Sequence, residues 1–353
     1  MKIVYFAHSI FSRGGDKMIL AHLRHLAASG HEVTIRSTVV DTIYPIDSRI
    51  TISRLPATTK AGTLLAALLG RQEGECIIAT IVPTALLLAL RNRGRVLFFA
   101  QDDNETVSPR LLWRALIRLL YFLAFRLLRI PTITVSSELA NTFGRRYGFS
   151  GAVVPNGVDT TRFFRDPSPD IMAMKQGRKA LLVLSRTDQR KGFDVALNVA
   201  STVSEEDGVS LELWIVGEEC SQDVNGMTVR HFGYVDEERL RLILSSADVF
   251  LYPSRSEGFP LMVIEAFACG CPVVTTTAVA LARDAVNAYV TNVDDVEALT
   301  RGVLHILQNN VHAEEYTRNG LEFVREHSLE KSSSLFGATL LCLMGEKHRR
   351  CMQ

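Results

Sequence analysis

The chain has 353 residues, 47% of them hydrophobic and 22% charged, which allows about two globular domains at the usual ~150 residues each. A formal net charge of +1, without a basic run interleaved with aromatic residues, argues against a nucleic-acid partner. The six cysteines lack metal-ligand spacing, so we expect reduced thiols in a cytoplasmic protein and no bound metal.

The first half of the chain alternates short β-rich runs with helical stretches. The opening run, Ile3 to Phe6, reads as a buried strand and is too short for a signal peptide. A helix is predicted from Asp16. Further strands are predicted at Glu32 to Ser37, near Ile77, at Val96 to Ala100, at Pro131 to Val135 and at Ala152 to Val154. This alternation predicts a parallel sheet covered by helices on both faces.

The segment 156–170, NGVDTTRFFRDPSPD, has two prolines and little apolar periodicity, and it is the candidate linker. The alternation then restarts. Strands are predicted at Ala180 to Leu184, Leu211 to Val216, Val229 to Phe232, Val249 to Tyr252 and Pro272 to Thr276, with helices from Gly192, Glu237 and Pro260 and mostly helix after Val296. The predicted fold class is therefore α/β, with two doubly wound domains facing across a cleft.

Two of the predicted strand-to-helix loops suit an anion, because ligands of open parallel sheets bind beyond the carboxyl ends of the strands. In SRGGDKM, Gly14 and Gly15 precede a helix and could expose backbone amides to a phosphate, although a plain turn explains them equally well. In LSRTDQRKGFD, Arg186 and Lys191 bracket a loop that ends where a helix begins. Two cations and a helix N-terminus favour a diphosphate site there.

The stretch EGFPLMVIEAFACGCPVV, residues 257–274, carries two glutamates in an apolar setting. Pro260 is predicted as the first helical residue, so Glu257 precedes the helix and Glu265 lies inside it. A rise of about 1.5 Å per residue separates them by on the order of 10 Å, too far to share a proton. We expect two contacts on one extended ligand, with Glu265 accepting hydrogen bonds from a diol and facing water when the site is empty. A buried ion pair with Arg or Lys is the alternative.

The segment LFFAQDDNET, residues 97–106, places Asp102 and Asp103 after a strand. Carboxylates could hold a divalent cation there. The spacing is not DxD, so a helix cap or a hydrogen-bonded loop fits better.

The segment PRLLWRALIRLLYFLAFRLLRI, residues 109–130, contains five arginines and no acid. On a helix the arginines fall within one sector of about 160°, with apolar residues over the remainder. This pattern predicts that the helix 110–129 lies on an anionic membrane surface. Regularly spaced arginines make spanning the bilayer costly, and packing against the sheet is the other alternative. The arginines are Arg110, Arg114, Arg118, Arg126 and Arg129.

Over most of its length the chain resembles the GT4 family of retaining glycosyltransferases, which have the two-domain GT-B fold. The resemblance rests on SRGG, VVPNGVDTTRF, LSRTDQRKGFDVAL, FGYV and EGFPLMVIEAFACGCPVV in that order. It implies an N-terminal Rossmann-like domain over 1–163 on the acceptor side and a donor-side domain over 164–328. A helical segment, 329–353, would cross back to the first domain.

The resemblance implies that a hexose or deoxyhexose moves from a nucleotide-sugar to a glycan or lipid-linked acceptor, with retained configuration and without a metal or other cofactor. Arg186 and Lys191 would hold the diphosphate, and Glu257 would contact the donor sugar. The nucleobase would lie against the Gly217 loop and residues 233–235. The donor-binding residues implied are Gly14, Gly15, Gly217, Gly233, Tyr234, Val235, Gly258, Phe259, Pro260, Leu261 and Glu265.

One departure from the family concerns the strand that ends at Ala100. Many members have a histidine after it, and this chain has Gln101 and Asp102, as in a subgroup of rhamnan and polysaccharide enzymes. These two residues would touch the acceptor or donor sugar, and the catalytic base stays open. We expect a cytoplasmic enzyme, peripheral on the inner face of the membrane, that serves cell-surface polysaccharide or glycoconjugate synthesis. The alternatives are a donor-binding protein without transfer activity and a nucleotide-sugar epimerase.

Overall fold

The computed structural model describes residues 1–107, 111–149, 151–206, 210–219, 224 and 226–351. Arg110 and one of the six cysteines, Cys220, lie outside these ranges. The chain divides into two compact units. Unit 1 comprises Met1–Asn156 and Glu330–Gln353, and unit 2 comprises Gly157–Leu329.

Unit 1 contains a sheet of seven parallel strands in the order β3-β2-β1-β4-β5-β6-β7. The strands are β1 Lys2–Ile10, β2 Glu32–Val40, β3 Thr51–Arg54, β4 Cys76–Ala79, β5 Val96–Ala100, β6 Thr132–Thr134 and β7 Ala152–Val153. The strand order reverses between β1 and β4, so the loops after these two strands flank the crevice where such sheets bind ligands.

Unit 2 contains a sheet of six parallel strands in the order β10-β9-β8-β11-β12-β13. The strands are β8 Lys179–Ser185, β9 Leu211–Gly217, β10 Thr228–Gly233, β11 Val249–Tyr252, β12 Val273–Thr276 and β13 Tyr289–Thr291. Here the order reverses between β8 and β11. The predicted fold class, two doubly wound parallel α/β domains, is confirmed.

Helices connect the strands in both units. They are α1 Gly14–Ala28, α2 Lys60–Leu69, α3 Val82–Arg91, α4 Asn104–Val107, α5 Leu111–Phe122, α6 Ser137–Tyr147, α7 Pro169–Met174, α8 Phe193–Ser204, α9 Glu237–Ser246, α10 Leu261–Ala268, α11 Val296–Gln308, α12 Asn310–Glu326 and α13 Leu329–Cys351. A π-helical turn, Leu123–Leu127, continues α5, and a 3₁₀ turn, Gln189–Lys191, precedes α8.

The four inner strands of the unit 2 sheet, β8, β9, β11 and β12, are buried on both faces, which explains their nearly continuous apolar runs. Leu182, Trp214 and Phe250 pack on one side with residues of α9 and α10. Their neighbours along the strands, Leu181 among them, pack on the other side with α8 and α11. A strand covered in this way has no polar face, so its sequence shows no alternation.

Several predicted boundaries differ from the structure. The edge strands β3 and β13 were not predicted, because each is only three or four residues long and carries Thr, Ser, Arg or Tyr rather than an apolar run. Helix α1 begins at Gly14 rather than Asp16. Pro260 is not the first helical residue: its ψ of 103° is extended, and α10 begins at Leu261.

The segment 156–170 packs on unit 2 instead of forming a free linker. Val158 and Phe163 are buried in the core of this unit. The backbone amides of Asp166 and Ser168 donate to the hydroxyls of Ser245 and Ser246 at the end of α9, at 3.0 and 3.1 Å. The predicted junction after residue 163 therefore lies inside unit 2, and the division falls between Asn156 and Gly157.

The C-terminal helix α13 packs on α1 within unit 1. The imidazole of His22 stacks on Phe336 at 4.4 Å between ring centroids, and its Nδ1 lies 3.0 Å from Ser333 Oγ. His22 is fully buried, and this burial lowers its pKa to about 3. The neutral imidazole therefore belongs to the core between the two helices.

Candidate functional site

The loop after β8 carries both predicted diphosphate ligands. Arg186 follows the last residue of the strand, and Lys191 closes the 3₁₀ turn that leads into α8. The neighbouring strand β11 ends at Tyr252, and its loop runs from there to α10. The two loops therefore flank the point where the strand order reverses, where open parallel sheets place their ligands.

Lys191 is bound by the glutamate of the EGFP motif. Its Nζ donates to Glu257 Oε1 at 2.8 Å and to Oε2 at 2.9 Å. Oε1 also accepts from Tyr252 Oη and Ser254 Oγ, each at 2.7 Å, and only 6% of the Glu257 side chain is exposed. An ammonium has three N–H donors, so two are used here and one is left for a ligand.

Arg186 is bound by two residues from neighbouring strand ends. Its Nη1 donates to Tyr234 Oη at 2.8 Å and lies 3.4 Å from Glu218 Oε1. Tyr234 follows β10, and Glu218 follows β9. The guanidinium has further N–H groups on Nε and Nη2, so these contacts orient it without using all of its donors.

Charged residues of both loops affect the pKa of the Tyr252 phenol. Burial raises the pKa of its phenol well above the usual range, and the Glu257 carboxylate raises it further, while the charges of Arg186 and Arg190 act in the opposite direction. The Nζ of Lys191 also lies 5.9 Å from the centre of the tyrosine ring. The phenol therefore stays protonated and donates to Glu257.

Glu218 was not predicted as a site residue. It accepts a hydrogen bond from the Thr187 backbone amide at 2.6 Å and from Tyr234 Oη at 3.3 Å. The Thr187 amide is the main cause that lowers the pKa of this carboxyl, while partial burial opposes it and Arg186 adds to the lowering. Its position directly after a glycine that ends a strand was the one sequence signal for it.

Arg255 joins the two loops and was also missed. Its Nη1 donates to the carbonyl oxygen of Gln189 at 2.6 Å and to Asp194 Oδ1 at 2.9 Å, and its Nε donates to Asp294 Oδ1 at 2.7 Å. The bonds with Asp194 and then Asp294 raise the pKa of Arg255 above the ordinary value. Serine and arginine between Tyr252 and Glu257 resemble any polar loop in sequence. The contacts of Arg255 with Gln189, Asp194 and Asp294 could therefore not be predicted.

Gly192 allows the two loops to touch. It has a φ of 69°, in the left-handed region, and a Cβ there would overlap the carbonyl oxygen of Pro253. Both the backbone angle and the space require glycine at this position. The close approach brings Ser254 Oγ within 2.9 Å of the carbonyl oxygen of Arg190.

The other donor-site residues of unit 2 lie on the same edge of the sheet. Gly217 and Gly233 end β9 and β10, each with positive φ, and Tyr234 is largely exposed. Gly258 and Pro260 are buried in the approach to α10, and Leu261 is its first residue. Val235 and Phe259 are half-buried against the core. The structure thus brings the predicted nucleobase and phosphate residues to one edge.

Glu265 lies in the middle of α10 and is 7% exposed. The expectation that it faces water when the site is empty is wrong for most of its surface. The helix is short and buries residues on all sides, so most of the Glu265 side chain is covered by unit 2.

In unit 1, the structure brings Gly15 and Gln101 together. A Cβ on Gly15 would overlap the side-chain oxygen of Gln101, although this atom is at the end of a flexible side chain that could move away. The amide of Gln101 thus covers the start of α1, where we expected exposed backbone N–H groups at Gly14 and Gly15. Asp102 is half-exposed and accepts from the Asp103 amide at 2.8 Å.

Asp103 has the structural role that its spacing favoured. It accepts from the Glu105 amide at 3.0 Å at the start of α4 and from Arg146 Nη1 at 2.7 Å. Glu105 in turn binds Arg118 and accepts from Tyr147 Oη at 2.8 Å. Burial raises the pKa of Asp103, and Arg146 and the Glu105 amide oppose this rise. These charges hold α4, α5 and α6 together.

The described His, Cys, Asp and Glu side chains were compared with the arrangement that a metal ion requires. Across the described ranges, no group of three or more His, Cys, Asp or Glu side chains is placed to hold a metal ion. Cys76, Cys269 and Cys271 are free and buried, and burial raises the pKa of Cys76 and of Cys269 to about 12. These three thiols are therefore protonated core residues.

The part of the chain that contains these loops matches a known protein family. Residues 178–309 match the family described as Glycosyl transferases group 1. This stretch contains Arg186, Lys191, Glu218, Glu257 and Glu265. The chain is also 31% identical over 205 residues to phosphatidyl-myo-inositol mannosyltransferase of Mycobacterium leprae, and the match covers 54% of each protein. The chain thus spans about half the length of this relative.

Solved structures share the fold of both units. Sucrose-phosphate synthase from Thermosynechococcus elongatus superposes with a TM-score of 0.79 at 18% identity, over 98% of this chain and 100% of that one. Anabaena HepE in complex with UDP-glucose superposes with a TM-score of 0.75 at 15% identity, over 96% and 99%. These likenesses establish the GT-B fold.

Of the helices in the described ranges, none combines the length and the apolar content needed to cross a bilayer.

Proposed function

We propose that the protein is a glycosyltransferase that moves a sugar from a nucleotide-sugar to a glycan or lipid-linked acceptor in cell-surface polysaccharide or glycoconjugate synthesis. One observation carries the proposal. Two cations, Arg186 and Lys191, are oriented by carboxylates at the switch point of the unit 2 sheet, inside the stretch that matches Glycosyl transferases group 1.

The donor diphosphate would bind the remaining N–H groups of Arg186 and Lys191. A sugar that leaves as an oxocarbenium-like species builds negative charge on the departing diphosphate, and fixed cations aimed at that charge lower the barrier. Glu257 and Glu218 keep the two cations in position before the donor arrives. The backbone amides around Phe259 and Leu261, at the start of α10, would add further donors.

The other proposed donor contacts in unit 2 lie at the same edge of its sheet. Glu257 would contact the donor sugar through Oε2, which makes fewer hydrogen bonds than Oε1. Glu265 would accept from the ribose hydroxyls, and Gly217 with residues 233–235 would border the nucleobase. In unit 1, Gln101 and Asp102 would touch the acceptor or the donor sugar, which fits the QD-type subgroup of rhamnan and polysaccharide enzymes.

The donor and acceptor classes are supported by the named relatives. HepE is seen with UDP-glucose, and the Mycobacterium leprae relative is a mannosyltransferase named for phosphatidyl-myo-inositol. By extension we propose hexosyl or deoxyhexosyl transfer with retained configuration, independent of a metal. A lipid-linked acceptor would place the enzyme at the inner, cytoplasmic face of the membrane as a peripheral protein.

A product assay tests the proposal. The protein is incubated with UDP-, GDP- and dTDP-sugars and with a panel of phosphatidylinositol, polyprenyl-phosphate-linked sugars and oligosaccharides. We expect one combination to release a nucleoside diphosphate and a glycosylated product that keeps the anomeric configuration of the donor, with and without EDTA. Donor binding with no product from any combination would favour a binding protein, and loss of product with EDTA would refute metal independence.

A further inference from the structure

Helix α5 presents an apolar face to solvent. Leu111, Leu112, Leu116, Leu119 and Phe122 are exposed, with Leu112 at 86% and Leu119 at 52%. At 100° per residue, these five and Ala115 fall within one sector of about 140°. Ile117 and Tyr121, on the opposite side, are buried. We call the six exposed residues the leucine face. It departs from the usual arrangement, in which the exposed side of a surface helix is polar.

The leucine face is held firmly by the buried side of the same segment. Tyr121 and Phe125 stack at 5.4 Å, and both pack on Phe143 and Tyr147 of α6. Arg118 binds the buried carboxylate of Glu105, which also ties α5 to α4. A helix anchored by an aromatic cluster and an ion pair cannot easily rotate its leucines inward. Their exposure is therefore a stable property of unit 1.

Charge and aromatic residues border the leucine face. Arg114, Arg126 and Arg129 are exposed, and the sequence from Leu111 to Ile130 contains no acid. Trp113, on the other flank of the helix, is 53% exposed. An apolar face bordered by arginine, with a half-exposed tryptophan beside it, has the composition of helices that lie in the interface of an anionic bilayer.

We propose that the leucine face docks the protein on a lipid bilayer that carries anionic headgroups. The leucines and Phe122 would enter the boundary between headgroups and acyl chains, while the arginines would contact the headgroups. A second copy of the chain fits less well. In a two-fold interface the same patch meets itself, so the arginines of one copy would approach those of the other without an acid from this segment to pair with them. The proposal does not depend on sugar transfer.

Sedimentation with vesicles tests whether the leucine face inserts into the bilayer. Vesicles of phosphatidylcholine with 30 to 50% phosphatidylglycerol should pellet the protein, and Leu112→Asp/Leu119→Asp should weaken its partition at least tenfold. The matched control is Leu335→Asp, a similarly exposed leucine on α13, which should bind as the unchanged protein does. Circular dichroism melts verify that all variants are folded. Unchanged binding of the double variant would overturn the proposal.

A second pair of variants tests whether the arginines contact the anionic headgroups. Arg126→Gln/Arg129→Gln should weaken binding to the anionic vesicles about tenfold or more, and the matched control, Arg301→Gln/Arg318→Gln, should not. Arg118 is unsuitable for this test because its side chain binds Glu105. Equal binding to pure phosphatidylcholine would refute the anionic preference. A lipid-free dimer that Leu112→Asp/Leu119→Asp converts to a monomer would assign the face to a second copy and also overturn the proposal.

Discussion

Lys191 Nζ lies 2.8 and 2.9 Å from the two carboxylate oxygens of Glu257, and this pair joins the loops that follow β8 and β11. Sixty-six positions separate the two residues in sequence. The strand order brings them together, because β8 and β11 are neighbours on either side of the switch point. The cation proposed to bind the diphosphate is thus oriented by the carboxylate proposed to contact the sugar.

Removal of either cation should strongly slow sugar transfer. We expect Lys191→Ala and Arg186→Ala each to lower the transfer rate about 10²- to 10³-fold, because each removes a fixed charge aimed at the leaving diphosphate. The matched control is Arg190→Gln in the same turn, whose side chain pairs with Asp188. Steady-state rates and melting temperatures measure the effect. Near-normal rates in folded Lys191→Ala would remove Lys191 from the diphosphate site.

The Lys191–Glu257 pair should also stabilise the protein without a ligand. We expect Glu257→Gln to lower the free energy of unfolding by about 2 kcal/mol, since it leaves the partly buried ammonium without a charged partner. Adding Lys191→Met should recover part of this loss. Urea unfolding of the two single variants and the double variant gives the coupling energy. Strictly additive losses would mean that the pair contributes nothing beyond its separate residues.

Gly192→Ala should separate the two loops. A Cβ at this position meets the Pro253 carbonyl oxygen as well as an unfavourable φ, so we expect a loss of more than ~2 kcal/mol in the free energy of unfolding and weaker donor binding. Gly177→Ala is the matched control. Its φ is 83°, with no atom within 4 Å of the added Cβ, and it should cost only about 1 kcal/mol. Equal losses would show that the contact with Pro253 carries no energy.

Protonation of His22 should weaken unit 1 in acid. The folded pKa is about 3 and the ordinary value is 6.5, so between these values only the unfolded chain binds this proton. Stability should therefore fall as the pH is lowered from 6.5 towards 3, by about 1.4 kcal/mol per pH unit from this residue. His22→Leu should remove that slope in urea titrations at several pH values. An unchanged slope would show that His22 accepts a proton in the folded state.

The strands and the loops that bear Arg186, Lys191 and Glu257 could be predicted because buried parallel strands such as VFLY and LELWIVG are continuous apolar runs. Glu218 and Arg255 could not. Their partners are far away in sequence, and charged loop residues are common. The helix 110–129 was predicted to lie on an anionic membrane surface, with packing against the sheet as the alternative. In the structure the segment packs through Ile117, Tyr121 and Phe125 while several of its leucines are exposed, and the sequence could not distinguish these two sets of apolar residues.

A thermal-shift titration tests the central claim, that unit 2 binds a nucleotide diphosphate through Arg186 and Lys191. A ligand that binds only the folded state stabilises it by about 2.7 kcal/mol at a hundred times its Kd. We predict that at least one of UDP, GDP and dTDP raises the Tm of the unchanged protein and of Arg190→Gln but not of Arg186→Ala or Lys191→Ala. No shift with any of them, or an equal shift in all four proteins, would contradict the claim.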